Sequence, residues 1–475
     1  MRTSPSYTAS YRLDIDESTL SIAQIVDAVS STGAQIKGLD VADSDRGHIV
    51  IDLTCDMRDS DHRREVRQVL DGLEGVHTSS VADQTFMAHV GGKIEVHPKV
   101  PLRNRDDLSR AYTPGVARVC TAIHDMPEKA HLLTMKANSV AVVSDGTAVL
   151  GLGDIGPEAA LPVMEGKAVL FKQFGDVDAW PVVLDTKDTE EIISIVKAIA
   201  PAYGGINLED ISAPRCFEIE ERLRAELDIP VFHDDQHGTA IVVLAALINA
   251  LKLVNKKIED VRIVVSGVGA AGSAIIKLLL AQGARDIVGY GRTGALAGDD
   301  VEGMHPSRAW LAQNTNPRMV HGSLKEGIAD ADVFIGVSHG NILDPSDIAK
   351  MAPGAIVFAL ANPTPEVDPI AAAEYAAIVA TGRSDYPNQI NNVLAFPGLF
   401  RGLLDAKVKE ITTEVLRVAA VAIASVISED ELSPSYIIPG AFDKRVAPAV
   451  SKAVRRAVRD LPTVDIPVQP DMDVN

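Results

Sequence analysis

The sequence predicts an α/β protein with three parts: a small N-terminal βαββαβ domain, an α/β domain around a parallel sheet, and a doubly wound parallel sheet. Three observations support this. Segments of strand-like and helix-like periodicity alternate along the chain. Apolar runs such as SVAVVSD, AWPVVLDT, ADVFIGVS and GAIVFALANP have the unbroken hydrophobicity of strands buried on both faces. The length, 475 residues, exceeds what one hydrophobic core organises, so two or three domains are expected.

Residues 8–90 open with a strand, SYRLDI, and a helix with apolar positions at Ile22, Ile25, Val26 and Val29. Strands AQIKGLDV and GHIVIDLTC follow, then a helix through Val66, Val69, Leu70 and Leu73, and a last strand near VHTSSVADQ. This order is the ferredoxin-like arrangement. It resembles the ACT domains appended to metabolic enzymes, so a regulatory or dimerising role is expected for residues 1–92. Such domains usually carry a glycine in the first strand-to-helix loop. Asp16-Glu17-Ser18-Thr19 stand there instead, which leaves a structural role as good a reading as ligand binding.

Gly91-Gly92 and the stretch KIEVHPKVPLRNRDD mark the next boundary. Residues 93–236 alternate helices with the strands SVAVVSD, AWPVVLDT and IPVFHD, as one α/β domain. Residues 237–430 contain DVRIVVSGVGAAGSAIIKLLLAQGARDIVGYG, a strand, a glycine turn and a helix running into a second strand, and form the doubly wound domain. Residues 431–475, with the basic run DKRVAPAVSKAVRRAVRD, read as a helical extension.

Lys and Arg number 45 against 65 Asp and Glu, a formal charge of −20, which argues against a nucleic-acid partner. Cys55, Cys120 and Cys216 are odd in number, widely spaced and without a CxxC pair, which suits a reducing cytoplasm. No apolar run approaches the roughly 20 residues that span a bilayer, so no membrane partner is expected.

Gly267-Val268-Gly269-Ala270-Ala271-Gly272 fits GxGxxG and lies between the strand RIVVS and a helix, the setting of a Rossmann-type dinucleotide site. Gly267 permits the tight turn, Gly269 lets a pyrophosphate approach, and Gly272 lets helix and strand pack. The helix start at Ala270-Ala271 faces the anion. NAD sites usually place an acid at the end of the next strand, but DIVGY runs into Gly291-Arg292-Thr293. Arg292 is either a group for a 2′-phosphate, tilting the cofactor toward NADP or dual use, or a solvated loop residue.

Acids gather in Asn207-Leu208-Glu209-Asp210 and His233-Asp234-Asp235-Gln236-His237, with Glu218 nearby. Carboxylates converging from separate strand ends suit a hard cation, Mg²⁺ or Mn²⁺; taken singly, each pair reads as a helix cap or solvated turn. His233 and His237 stand four apart, but a third zinc ligand and the Glu of HExxH are missing, so capping or supporting roles are expected.

The motifs AYTPGVA, VLGLGDIGPEAALPVMEGKAVLF, NLEDISAP, FHDDQHGTA, FALANPTPE and NQINNVLAFPG resemble, in order, those of malic enzymes. The likeness is to the short bacterial form and covers nearly everything after residue 90. It implies oxidative decarboxylation of L-malate to pyruvate and CO₂ with a divalent metal and NAD or NADP. Residue by residue, it implies Lys167 as the base toward the C2 hydroxyl and Tyr112 as the acid that protonates C3 of enolpyruvate. Asp234 would orient Lys167, and Glu209, Asp210 and Asp235 would hold the metal. Asn362 and Asn392 would lie near the substrate carboxylates and nicotinamide. A lysine base must be neutral, so burial or a nearby cation is expected to lower its pKa. On residue type alone Lys167 reads as a surface lysine, and Tyr112 and Asn362 as turn residues before Pro114 and Pro363.

Animal-type relatives carry an arginine before LGLGD that grips a malate carboxylate. Ala148-Val149 stand there, so another cation, of this chain or a neighbouring subunit, must serve. Competing readings are a malolactic or oxaloacetate-decarboxylating enzyme of the same fold, an amino-acid dehydrogenase, and a non-catalytic metabolite sensor. The metal-type acids speak against the last two. A symmetric homo-oligomer, a dimer, is the expected assembly.

Overall fold

The computed structural model describes residues 3–45, 47–149, 151–299, 301–459 and 461. The chain divides between Val96 and His97 into two compact units. The end of the predicted C-terminal extension, 462–475, lies outside the described residues.

The first unit runs β1 (Ser4–Asp16), α1 (Ile22–Ser31), β2 (Gln35–Asp45), β3 (His48–Met57), α2 (Ser60–Asp71) and β4 (Val76–Asp83). The sheet order is β2-β3-β1-β4 with every neighbouring pair antiparallel, which is the ferredoxin-like arrangement. Alternation decides which face is covered. Ala9, Tyr11, Leu13 and Ile15 of β1 join Ile51, Leu53 and Cys55 of β3 in one core with Ile25, Val29, Val66 and Leu70 of the helices. The opposite face is polar: Arg12 grips Asp52 at 2.8 and 2.7 Å, and Ser10 meets Thr54 at 2.8 Å. The Asp16–Thr19 loop folds on itself, Asp16 accepting from the Ser18 amide at 2.9 Å and its hydroxyl at 2.7 Å.

The second unit contains two parallel sheets. Its first half includes α3 (Arg105–Ala111), α4 (Val116–Asp125), β5 (Ser139–Ser144), α5 (Pro157–Gly175), β6 (Asp178–Val183), α6 (Thr189–Ile199), β7 (Gly205–Leu208), α7 (Arg215–Glu226) and β8 (Val231–His233). These strands pair in the order β6-β5-β7-β8, all parallel. Strand β7 was not among the expected strands; four residues are too few to show a period.

A wide π-helical turn, Asp234–Gly238, leads into α8 (Thr239–Leu253). The second half then runs β9 (Arg262–Ser266), α9 (Ala270–Ala281), β10 (Asp286–Gly291), β11 (Gly294–Ala295), α10 (Pro306–Asn314), β12 (Val333–Gly336), β13 (Ile356–Ala359), β14 (Ile378–Thr381), α11 (Phe396–Ala406), α12 (Thr413–Ala424) and α13 (Val446–Ala457). The order β11-β10-β9-β12-β13-β14, parallel except for β11, is the doubly wound sheet.

Helix α8 joins the halves. Ile241, Val242, Val243, Leu244 and Leu247 are fully buried, in one core with Val140 and Phe232 of the first sheet and Ile263, Ile335 and Phe358 of the second. Each such side chain contributes about 1.5–3 kcal/mol on burial. One expectation is corrected here: the 20-residue helical stretch Asp234–Leu253 is long and apolar enough to cross a membrane, but 72% of its apolar window is buried inside the fold, and two acids open it. It is a core helix.

Candidate active site

Strands β7 and β8 lie side by side, Leu208 opposite His233, so the residues after them emerge together at the carboxyl edge of the sheet. Glu209 and Asp210 leave β7, and Asp234 and Asp235 leave β8. Ligand oxygens of Glu209, Asp210 and Asp235 all lie within 4.8 Å of one another. The Asp210 amide donates to Asp235 Oδ2 at 2.8 Å. Asp210 holds a φ of 54°, a left-handed conformation that costs a non-glycine residue on the order of 1–3 kcal/mol and clusters at functional sites.

Asp210 Oδ2 is buried without a hydrogen-bond partner. Burial, and then the charge of Asp235, push the Asp210 carboxyl up to about 8. Burial also raises Glu209, with Lys167 opposing and the neighbouring acids adding to the rise. Lys167 offsets only part of this crowding, and hard oxygen donors so placed fit Mg²⁺ or Mn²⁺, whose charge would relieve the remaining repulsion.

Lys167 lies on the buried face of α5 with Ala160, Met164, Ala168 and Phe171. Its amine is 2.6 Å from Asp234 Oδ2, 2.9 Å from Glu209 Oε1 and 4.2 Å from the Phe396 ring centre. The expected lowering of its pKa is not found. Burial pulls it down, but Asp234 and Glu209 outweigh burial and hold the proton above the ordinary lysine range, because the neighbours are carboxylates and not a cation. Asn392 donates to Asp234 Oδ2 at 2.9 Å and accepts from the Thr239 hydroxyl at 3.2 Å. A Cβ at Gly238 would collide with Asp234 Oδ1, so the glycine of HDDQHGTA makes room for that carboxylate.

At the second sheet, Gly267 has a φ of 101°, and a Cβ on it would meet the Val337 carbonyl at 2.6 Å. Gly272 packs against the Gly267 carbonyl. Gly269 faces open space at the start of α9, where Ala270 and Ala271 begin the helix. This open backbone at a helix start, at the carboxyl end of β9 between β10 and β12, has the room and the amide groups that could hold a pyrophosphate.

The family model of the malic enzyme N-terminal domain matches residues 91–224, and that of the malic enzyme NAD binding domain matches residues 236–459. The chain belongs to the malic enzyme family. It is 58% identical to the NAD-dependent malic enzyme of Geobacillus stearothermophilus over 446 residues, 94% of this chain and 93% of that one. It is 56% identical to the bifunctional malic/malolactic enzyme of Bacillus subtilis over 381 residues, 80% of this chain and 93% of that one. The crystal structure of NAD-dependent malic enzyme from Thermotoga maritima is similar with a TM-score of 0.76 at 52% identity, covering 79% of this chain and 99% of that one. The protein is therefore an oxidoreductase of the malic enzyme type, carrying out oxidative decarboxylation of malate with a nicotinamide dinucleotide.

Other residues with expected family roles fall differently. Tyr112 ends α3 as a residue 69% exposed and is not brought to the Lys167 cluster. Asn362 is set against Gly382, where a Cβ would meet its Nδ2 at 2.8 Å, and against Gly151 of the LGLGD loop, whose Leu150 lies outside the described residues. Glu218 does not join the acids: it faces outward on α7 and pairs with Arg222 at 3.3 Å, because helical spacing turns Cys216, Ile219, Glu220 and Leu223 inward. His237 bonds Glu220, and His233 ends β8 fully buried, so the two histidines do not converge with the acids on one ligand set.

Three residues were missed by sequence reasoning. Glu220 is a buried carboxylate behind the metal-type acids. Arg308, from α10, packs on Gly291 at the end of β10 and donates to the Thr293 hydroxyl at 3.2 Å, whereas Arg292 is exposed in the turn. Arg383 donates to the Pro363 carbonyl at 2.9 Å beside Asn362 and grips Asp385 at 2.8 Å. Arg308 and Arg383 arrive through tertiary folding and have no local signal. Glu220 had one, a Glu on the apolar face of a helix.

Proposed function

We propose that in this chain Lys167 is the base and Tyr112 the acid for malate oxidation and decarboxylation, with Glu209, Asp210 and Asp235 holding Mg²⁺ or Mn²⁺. One observation carries this reading: the buried Lys167 nitrogen sits 2.6 Å from Asp234 and 2.9 Å from Glu209, a proton-carrying group held directly beside a metal-type carboxylate. When bound, a divalent cation supplies Lewis-acid polarisation of the substrate C2 oxygen and steadies the enolate. Lys167 takes the C2 hydroxyl proton as the C2 hydride passes to the nicotinamide ring, leaving a ketone. The C3–C4 bond then breaks, CO₂ departs with the C4 carbon, and Tyr112 returns a proton to C3. Asp234, anchored by Asn392, keeps the lysine nitrogen aimed. Glu209 is shared between Lys167 and the metal-type cluster, and a cation held by Glu209, Asp210 and Asp235 would take up its charge and loosen the proton on Lys167.

Gly269 and the start of α9 would hold the pyrophosphate of the dinucleotide, and Thr293 and Arg308 would face its adenosine end. No carboxylate ends β10, which favours NADP or dual use. A homodimer is the assembly we place here. Leu102, Leu108, Tyr112, Leu132 and Met135 are exposed, and α3 and α4 bury no residue, so a second copy covering this face would take Tyr112 out of solvent and into a site. Three free cysteines, Cys55, Cys120 and Cys216, suit the cytoplasm.

Product analysis with L-malate, Mn²⁺ and either dinucleotide tests the reading. Pyruvate and reduced nicotinamide in equal amounts, abolished by a chelator, support it. Lactate without net nicotinamide reduction supports instead the malolactic reading, which the similarity to the bifunctional Bacillus subtilis enzyme favours.

A further inference from the structure

We propose that Glu220 is a positioning residue that clamps the turn Asp234–Gly238 from behind and so aims Asp235 at the metal. The inference rests on reading Asp235 as a ligand.

The turn is π-helical, the wide and rare form that collects at functional sites. Its successive side chains leave in different directions. Asp234 goes to Lys167 and Asn392, and Asp235 goes to the Asp210 amide. Gln236 and His237 turn back together onto one carboxylate, Glu220 of α7. Gln236 Nε2 donates to Glu220 Oε2 at 3.1 Å. His237 Nε2 lies 3.0 Å from that oxygen and 2.8 Å from the other. Arg224, 3.9 Å away, is the next charged group. Both hydrogen bonds fall on Oε2, and Oε1, buried without a hydrogen-bond partner of its own, lies against the same imidazole nitrogen, so His237 faces both oxygens of the carboxylate.

Burying a carboxylate is unfavourable unless donors surround it, and α7 packs through Cys216, Ile219 and Leu223 without needing one. The clamp instead sets the turn. His237 also lies against the Phe232 ring, with 5.8 Å between ring centres, and His233 stands 3.7 Å behind Asp235. The turn runs directly into α8. With Gln236 and His237 released, it is free to rewind as ordinary α-helix, which would rotate Asp235 away from Asp210 and Glu209. Glu220 touches neither the acids nor Lys167 in any described contact, so its effect passes through the turn.

The test uses the full-length protein and Mn²⁺ binding by calorimetry without substrate, for wild type and Glu220→Gln, which in either amide orientation puts an N–H₂ beside His237 Nε2. Expected is a loss of Mn²⁺ affinity of about 10- to 100-fold, the usual effect of removing an outer partner of a metal ligand. Dinucleotide affinity is expected to hold. Amide hydrogen exchange at residues 234–238 of the metal-free protein should rise, and Glu220→Gln/His237→Gln, which can pair amide to amide, should recover part of the affinity. Unchanged Mn²⁺ affinity in Glu220→Gln overturns the proposal. So does an equal loss of Mn²⁺ and dinucleotide binding, which marks general damage. If wild type binds no Mn²⁺, the ligand reading fails, and hydrogen exchange alone decides the clamp: exchange unchanged by Glu220→Gln overturns it.

Discussion

Replacing Asp234 by Asn isolates the orientation of the base. Asp234 is fully buried, and its Oδ2 accepts from Lys167 at 2.6 Å and from Asn392 at 2.9 Å. Its Oδ1 is confined beside Gly238. An amide nitrogen must therefore face either two donors or that confined pocket. Removing one partner of a buried ion pair costs about 3–5 kcal/mol. Glu209 remains 2.9 Å from the amine, which puts the loss at the low end, about 3 kcal/mol or roughly a hundredfold in rate if it is felt in the transition state. The assay is the initial rate of nicotinamide reduction at saturating malate, dinucleotide and Mn²⁺, with Mn²⁺ affinity measured alongside. We expect kcat to fall about a hundredfold, within the usual range for a positioned base, while Mn²⁺ and dinucleotide binding hold. An unchanged kcat, or a loss explained wholly by weaker Mn²⁺ binding, would refute the reasoning.

Arg308→Ala should raise the KM for NADP by the about 1.5–3 kcal/mol of a charge-assisted hydrogen bond and leave NAD little changed; equal effects on both would remove Arg308 from the 2′ end. Arg383→Ala should raise the KM for malate by a similar factor with kcat and dinucleotide KM held, because Arg383 is the guanidinium set beside Asn362. A normal malate KM would leave the substrate carboxylate to another cation. Burial, and then the charges of Lys136 and Lys407, lower His131 from 6.5 to about 4. The unfolded chain therefore binds the extra proton first, and the stability from the neutral ring, present above pH 6.5, is lost as pH falls toward 4. His131→Asn should flatten the acid fall in melting temperature across that window, and an unaltered profile would count against it.

Much of this architecture is legible before folding is considered. The N-terminal domain shows its alternation at Ala9, Tyr11, Leu13 and Ile15 and its helical spacing at Val66 and Leu70, because one face of each element is buried and the other wet. GxGxxG is legible because its strand and helix flanks are local. The acids could be picked out by type, but their convergence depends on β7 and β8 becoming neighbours, and the four residues of β7 carry no period of their own. Glu218 and Glu220 differ only by which side of a helix they occupy. The proton affinity of Lys167 depends on which charges surround it, and two carboxylates reversed the expected sign. Arg308 and Arg383 reach their sites from elements distant in sequence, and Tyr112 stands exposed in one chain, where no local pattern could place it.

The central claim is the division of labour between Lys167 and Tyr112, and the most direct measurement separates the two half-reactions in the Mn²⁺-loaded protein. Nicotinamide reduction is followed with L-malate, and decarboxylation is followed with oxaloacetate, for wild type, Lys167→Ala and Tyr112→Phe. The account predicts that Lys167→Ala loses malate-dependent reduction far more than oxaloacetate decarboxylation, whereas Tyr112→Phe still reduces the dinucleotide but releases pyruvate slowly. Reduction at the wild-type rate in Lys167→Ala, or equal loss of both half-reactions in both variants, would contradict it.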